Sequence, residues 1–306
     1  MKGFAMKRTP YIYIVVLVLI AGSWGGNLWV YFRSQLREPV FFNHYIEVEN
    51  SPGYSFDLLY LENKSAKIKL RSIDIPELPN VQVTPIQVQN SYTHQNQGTM
   101  RVQIMDYDLL QPVFPPEGPL LIHRVNAVFE DNSVREMNIG EIRVYNDDLT
   151  GDAPTEGSSG GSSSLGTGYQ TIRFSRAAQL TGITSAYLPR LGDRLAVTLD
   201  AASIRNLTQI EIPFESAYNI SGVQLSEVPL PLKFAPGDSA TLGYGLDLSS
   251  GKVSALEKTD VYWLLLRMEL TEANGKKTVV PVTLPFSPYL SDRDISEFVR
   301  TKGVDS

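Results

Sequence analysis

A run of 22 residues without a charge, Tyr11 to Phe32, stands between Lys7-Arg8 and Arg33 near the start of the chain. As a helix it covers roughly 33 Å, enough for a hydrocarbon core of about 30 Å. A helix also satisfies its own backbone hydrogen bonds, which lipid cannot do for it. Tyr11 and Tyr13 at one end, with Trp29, Tyr31 and Phe32 at the other, form the aromatic belt expected at the two interfaces. The run therefore predicts a single-pass transmembrane helix over 11–32, behind a short cytoplasmic tail, 1–10. Lys2, Lys7 and Arg8 precede it and Arg33 and Arg37 follow, so the charge bias places the N-terminus inside. The large cysteine-free region that follows supports the same orientation, with the bulk of the chain extracytoplasmic.

The first apolar residues, Tyr11 to Ile20, followed by Ala21-Gly22-Ser23, also resemble a signal peptide. Cleavage near Ser23 would release the rest as a secreted protein. The apolar character resumes at Trp24 and runs to Phe32, which a signal peptide does not need, so the uncleaved anchor is the preferred expectation. Gly22 and Gly26 form a G-x-x-x-G pair, a candidate helix-packing face for self-association through the membrane segment.

Behind a tether, 33–39, the hydrophobic period becomes two. His44, Ile46 and Val48 share one face of a strand, and Phe56, Leu58 and Tyr60 share one face of the next. Ile68 and Leu70, Met100 to Ile104, and a hairpin from Leu121 to Ile139 turning at Glu130-Asp131-Asn132-Ser133 continue the pattern. Short strands separated by Pro, Gly and Asn predict an antiparallel β-sandwich over 40–145. Asn146 to Gly168 is rich in Gly and Ser without apolar periodicity, and predicts a flexible linker. Alternation returns at Thr171–Phe174 and continues to the long strand Val261–Leu270, whose partner returns through Ala273-Asn274-Gly275-Lys276, an Asn-Gly hairpin signal. This predicts a second sandwich over 169–290. Ser291-Asp292-Arg293-Asp294 then opens a short C-terminal helix and tail over 291–306. The expected fold class is all-β, two antiparallel sandwich domains behind one transmembrane helix. The pattern is similar to that of immunoglobulin-like modules, although their Cys…Trp…Cys hallmark is missing. Leu59 onward also runs beside Ile212 onward at an offset of 153, which suggests a duplication.

Composition narrows the chemistry. With no cysteine, disulfides, thiolate metal sites and cysteine nucleophiles are excluded together. Residues 40–146 carry eight Lys and Arg against thirteen Asp and Glu, and residues 169–306 fourteen against fifteen. Neither half has a basic stripe, so nucleic acid is not an expected partner. His44 and His123 lie on apolar strand faces and read as core histidines, while His94 sits in a polar stretch. Gly157-Ser158-Ser159-Gly160-Gly161 matches G-x-S-x-G, but within a Ser/Gly-rich segment, and Ser249 to Lys252 matches S-x-x-K without its companion motifs. A candidate calcium loop begins at Asn146, with Asn146, Asp148, Thr150 and Asp152 as ligands, but it lacks the Glu expected at position twelve. Trp263 falls on the strand face opposite the predicted core.

These readings leave no catalytic or cofactor site. The expectation is a non-enzymatic interaction or structural component of the cell envelope, held in the bilayer and meeting a protein partner in or at the membrane. The alternative is a surface module that binds a glycan, a peptide or calcium.

Overall fold

The computed structural model describes residues 9–106, 110–146, 152–163, 166–215, 218–247, 254 and 257–304. Helix α1 (Thr9–Arg33) is continuous through Ala21-Gly22-Ser23. Its stretch Tyr13–Arg33 is long and apolar enough to cross a membrane. The rest is mostly β, as the alternating pattern requires.

The first half contributes β1 (Val40–Phe41), β2 (His44–Glu49), β3 (Ser55–Asn63), β4 (Leu70–Asp74), β5 (Val81–Ser91), β6 (Gln95–Ile104), β7 (Leu120–Phe129) and β8 (Val134–Tyr145). The second contributes β9 (Thr155–Ser162), β10 (Thr167–Phe174), β11 (Ala178–Thr184), the single turn α2 (Leu188–Leu191), β12 (Leu195–Ala201), β13 (Ile210–Glu215) and β14 (Tyr218–Gln224). It continues with β15 (Leu232–Phe234), β16 (Ser239–Leu246), β17 (Val261–Glu272), β18 (Lys277–Phe286) and the C-terminal helix α3 (Asp292–Val304).

Three sheets result, ordered β1-β3-β6-β5, β13-β14-β12-β16-β10-β9 and β15-β11-β17-β2-β8-β7-β4, with β18 on the far side of β17. The last sheet belongs to both halves. β2 lies between β8 and β17 and is parallel to both, with His44–Ile46 beside Val261–Trp263. The chain is therefore not purely antiparallel, and its two halves are not beads on a string. The physical reason is edge protection. β2 would otherwise offer a row of unpaired backbone groups, and β17 covers it.

The expected linker is corrected accordingly. Within 146–168, Thr155–Ser162 is the strand β9, paired with β10 from Phe174↔Thr155 to Gly168↔Ser162. Its composition hides it, because glycine and serine give no apolar alternation to read. β16 is hidden for a related reason. Gly243 and Gly245 resemble turn residues, but a Cβ there would lie 2.4 Å from Ile220 and 2.8 Å from Ile212. The glycines make room for the β13–β14 hairpin, whose Ile212 and Ile220 pack together over this sheet with Tyr169 and Ala196.

The two halves repeat one arrangement. β3-β6-β5 and β4-β7-β8 in the first match β10-β16-β12 and β11-β17-β18 in the second. The offset of 153 does not survive, because it sets β3 and β4, which lie in different sheets, against the hairpin β13–β14. The pairing of the turns at Asn132 and Asn274 does hold, since they close β7–β8 and β17–β18.

One hydrophobic core gathers Phe56, Leu58, Met100 and Val102 with Ile46, Val48, Ile122, Val125 and Ile142 from the facing sheet. The second gathers Phe174, Leu199 and Leu242 with Leu264, Leu266, Met268 and Val282. Trp263 is half-buried and packs against the first core although it belongs to the second half. It is not a surface tryptophan. A third cluster joins the chain ends. Ile295, Phe298 and Val299 of α3 pack with Leu36, Phe42, Leu59 and Leu61 of the first half, Phe298 meeting Phe42 edge-on at 5.4 Å.

Candidate functional site

Two places concentrate polar contacts: the end of the molecule where α1 gives way to the tether, and the seam between the halves.

At the helix exit the tether is held tightly. Asn63, the last residue of β3, accepts from Leu36 N at 3.0 Å and donates to Leu36 O at 2.6 Å. Gln95, the first residue of β6, donates to Ser34 O at 2.6 Å and to Asn63 Oδ1 at 3.1 Å. Leu36 itself is buried. The ends of β3 and β6 therefore fix where the β-body sits relative to α1. Replacing Asn63 with alanine removes three of these bonds and is expected to cost about 2 kcal/mol locally. Hydrogen exchange at the Leu36 amide should speed up roughly 30-fold. An unchanged exchange rate would mean that the staple is not what orders the tether.

The body leans on one face of α1. His94 meets Tyr31 edge-on at 5.9 Å, and Ser65 lies 3.5 Å from the Tyr31 hydroxyl. A groove of about 440 Å³ runs here between His94 and Trp24, Asn27, Leu28, Val30 and Tyr31. Gly22 lies about 180° around the helix from Tyr31. A Cβ at Gly22, Gly25 or Gly26 would meet nothing within 4 Å. The G-x-x-x-G face is thus turned away from the β-body and open. A second, smaller hollow of about 230 Å³ opens beside the tether, between Arg37 and Glu38, the β3–β4 loop at Lys67, and Phe129 and Arg135 of the β7–β8 hairpin.

At the seam, Glu47 of β2 is fully buried. Its carboxylate accepts from the Ser185 hydroxyl at 2.5 Å, Ala186 N at 2.9 Å, the Tyr145 hydroxyl at 2.9 Å and Leu265 N at 3.2 Å. Three of those donors belong to the second half. Glu49, two residues on, pairs with Arg267 of β17 at 3.1 Å. That guanidinium also lies 4.6 Å over the Tyr145 ring. Tyr187 donates to Glu141, which is held by Arg143 at 2.7 Å. On the other side of the seam Tyr45 stacks on Tyr262 at 5.2 Å and carries Arg190 on its face at 4.0 Å. Asp260 is buried and accepts from Asn43 and Tyr262, each at 3.2 Å. Burial pushes its carboxyl up to about 6, against these two bonds and the nearby Arg190.

Nothing in the residues around Glu47 marks it as a buried acceptor. It shares the outward-pointing phase of β2 with Tyr45 and Glu49, the face a lone sandwich would leave wet.

The residues singled out from sequence fall as follows. His44 is buried, with Nδ1 donating to Ile139 O at 3.0 Å and Nε2 accepting from Leu59 N at 2.8 Å. Both nitrogens are thus used, and burial lowers its pKa to about 4. His123 is exposed and faces Gly140 O at 3.0 Å. Ser158 and Ser159 stand on the strand β9, not on a strand-to-helix elbow. Ser249 and Lys252 lie outside the described residues, as do Asp148 and Thr150 of the calcium candidate. Of its other two members, Asn146 bonds to Asn50 at 3.3 Å, and Asp152 is held by Arg176 at 2.5 Å and Lys276 at 3.6 Å. Asp152 therefore already has two cationic partners. Among the described residues, no group of three or more His, Asp or Glu is placed to hold a metal ion.

No family model matches the chain, and comparison with curated proteins finds no relative.

Proposed function

We infer that the chain is a membrane-anchored, extracytoplasmic β-protein that acts as a non-enzymatic interaction or structural component of the cell envelope. The observation that carries this reading is mechanical. The exit of α1 is stapled to β3 and β6, and the halves are welded by a shared sheet and the Glu47 seam. Force or position at the membrane passes directly into the whole body, which suits a scaffold. The two halves read as immunoglobulin-like modules, supported by their common strand orders.

A partner has two places to engage. One is the open Gly22/Gly26 face within the bilayer. The other is β9. The remaining long sheet edges carry proline, Pro85 in β5, Pro213 in β13, and Pro281 and Pro285 in β18. β9 has none and is eight residues of largely exposed backbone, open to strand addition. The test is photo-crosslinking in the native membrane from Ser158 and, separately, from Gly22. The expected result is a defined adduct with a partner or with a second copy from at least one position. No adduct from either position, or a mature protein in the medium beginning at Trp24, would overturn the reading.

A further inference from the structure

The hollow beside the tether combines features that the sequence keeps apart. Arg37 comes from the tether, Lys67 from the β3–β4 loop and Arg135 from β8, and they converge with one carboxylate, Glu38. Arg135 uses Glu38 as its partner at 2.7 Å and also rests on the Phe129 ring at 5.2 Å. Arg37 and Lys67 are exposed and have no ion-pair partner among the described residues. The hollow thus presents two uncompensated cations over a floor that includes Pro39, Ala66 and Phe129, with the half-exposed Ile68 beside them. Its location matters as much as its charge. Arg37 lies only four residues past the last residue of α1, and the Asn63 staple holds the tether against the body. With α1 spanning a bilayer, a tether this short keeps the hollow close to the headgroup layer, and attraction to phosphate is least screened at separations below a Debye length of roughly 8 Å.

We propose that this hollow seats the phosphate of an anionic phospholipid, with Arg37 and Lys67 as its donors and Ile68 dipping into the interfacial layer. A guanidinium offers a planar fork to two phosphate oxygens, and an ammonium adds a mobile point charge. About 230 Å³ admits a headgroup but not a larger ligand. Lipid bound there would set the tilt of the β-body on the membrane, because the tether leaves it little freedom of its own. The inference rests on α1 spanning a bilayer, so the experiment reads the two claims separately.

The full-length protein is first reconstituted and floated with neutral phosphatidylcholine vesicles, extracted with alkaline carbonate, and compared with the Arg37→Gln/Lys67→Gln double variant. Both proteins should float and resist extraction, since α1 is intact in each. Thermal unfolding is then followed in a neutral detergent with added phosphatidylglycerol, phosphatidylcholine or inorganic phosphate. Phosphatidylglycerol at saturation should raise the wild-type Tm by about 5 °C. The other two should leave it unchanged, and the double variant should respond to none. Because the substituted side chains are exposed, the variant should melt at the wild-type temperature without lipid. An equal phosphatidylglycerol response in both proteins, or an equal response to phosphatidylcholine, overturns the headgroup site and leaves the anchor standing. A response to inorganic phosphate alone makes the hollow a soluble-anion site and overturns the lipid assignment. Failure of both proteins to float overturns the anchor, and the headgroup site with it.

Discussion

Replacing Glu47 with alanine should destabilise the protein by about 4 kcal/mol and separate the unfolding of its two halves. The carboxylate is buried in β2 and answers four donors, two of which are backbone amides, Ala186 and Leu265. Backbone N–H groups cannot turn away to find water, so removing their acceptor leaves them buried and unpaired. The Ser185 and Tyr145 hydroxyls lose the same acceptor. By the usual scaling the cost lowers Tm by roughly 10 °C. The location of the loss is more telling than its size. Because Glu47 binds one half to the other, the wild-type protein should melt in one transition and the alanine variant in two. Calorimetry of the full-length protein in detergent reads both quantities. A variant that melts in one transition within about 1 °C of the wild type would show that the shared sheet alone joins the halves.

Stability between pH 7 and pH 4 should depend on two buried groups that act in opposite directions. His44 takes up its proton near 6.5 when unfolded but only near 4 when folded, because its ring is fully buried and its Nε2 is already accepting from Leu59. Its contribution is complete above pH 6.5 and is lost as the pH falls towards 4, a change of about 3 kcal/mol. Asp260 runs the other way. Its folded carboxyl binds a proton near 6 and its unfolded one near 3.8, so it adds stability as the pH falls through that window, again by about 3 kcal/mol. The two terms nearly cancel in the wild type. Asp260→Asn removes only the second, so relative to the wild type it should lose about 3 kcal/mol on going from pH 7 to pH 4. His44→Gln, whose amide keeps one donor and one acceptor, should gain by a similar amount over the same range. Urea unfolding of the three proteins across this range makes the comparison, and the shared acid titration of the surface carboxylates drops out of the differences. Parallel curves for all three would refute the assignment of either group.

Both predictions rest on residues whose importance the sequence conceals. Glu47 and His44 lie three positions apart on one six-residue strand, and the alternation of His44, Ile46 and Val48 correctly marks one face as core. That same alternation marks Tyr45, Glu47 and Glu49 as the outer face. It is the outer face of a lone sandwich, but here the 185–187 segment and α2 lie against it, and Leu265 and Arg267 of β17 bond to Glu47 and Glu49. Trp263 and Arg267 are the mirror case on β17. Their phase sets them opposite their own core, where they meet the first half's core and Glu49.

The sequence by itself determined what is local. A charge-free stretch of helix length, strands of period two, and hairpins turning at Asn132 and Asn274 all depend on neighbours within a few residues, and their pattern is written in the side chains. The apolar helix, the β-class of the body and the C-terminal helix were legible for that reason. Only the tertiary structure decided which strand edges meet, because backbone hydrogen bonding between strands carries no side-chain signature. From that pairing came the parallel seam of β2 with β17 and the strand hidden in the glycine-serine segment. The gathering of Arg37, Lys67 and Arg135 around one hollow has the same origin. Charges spread along a chain become a site only when the fold brings them within a few ångströms of one another.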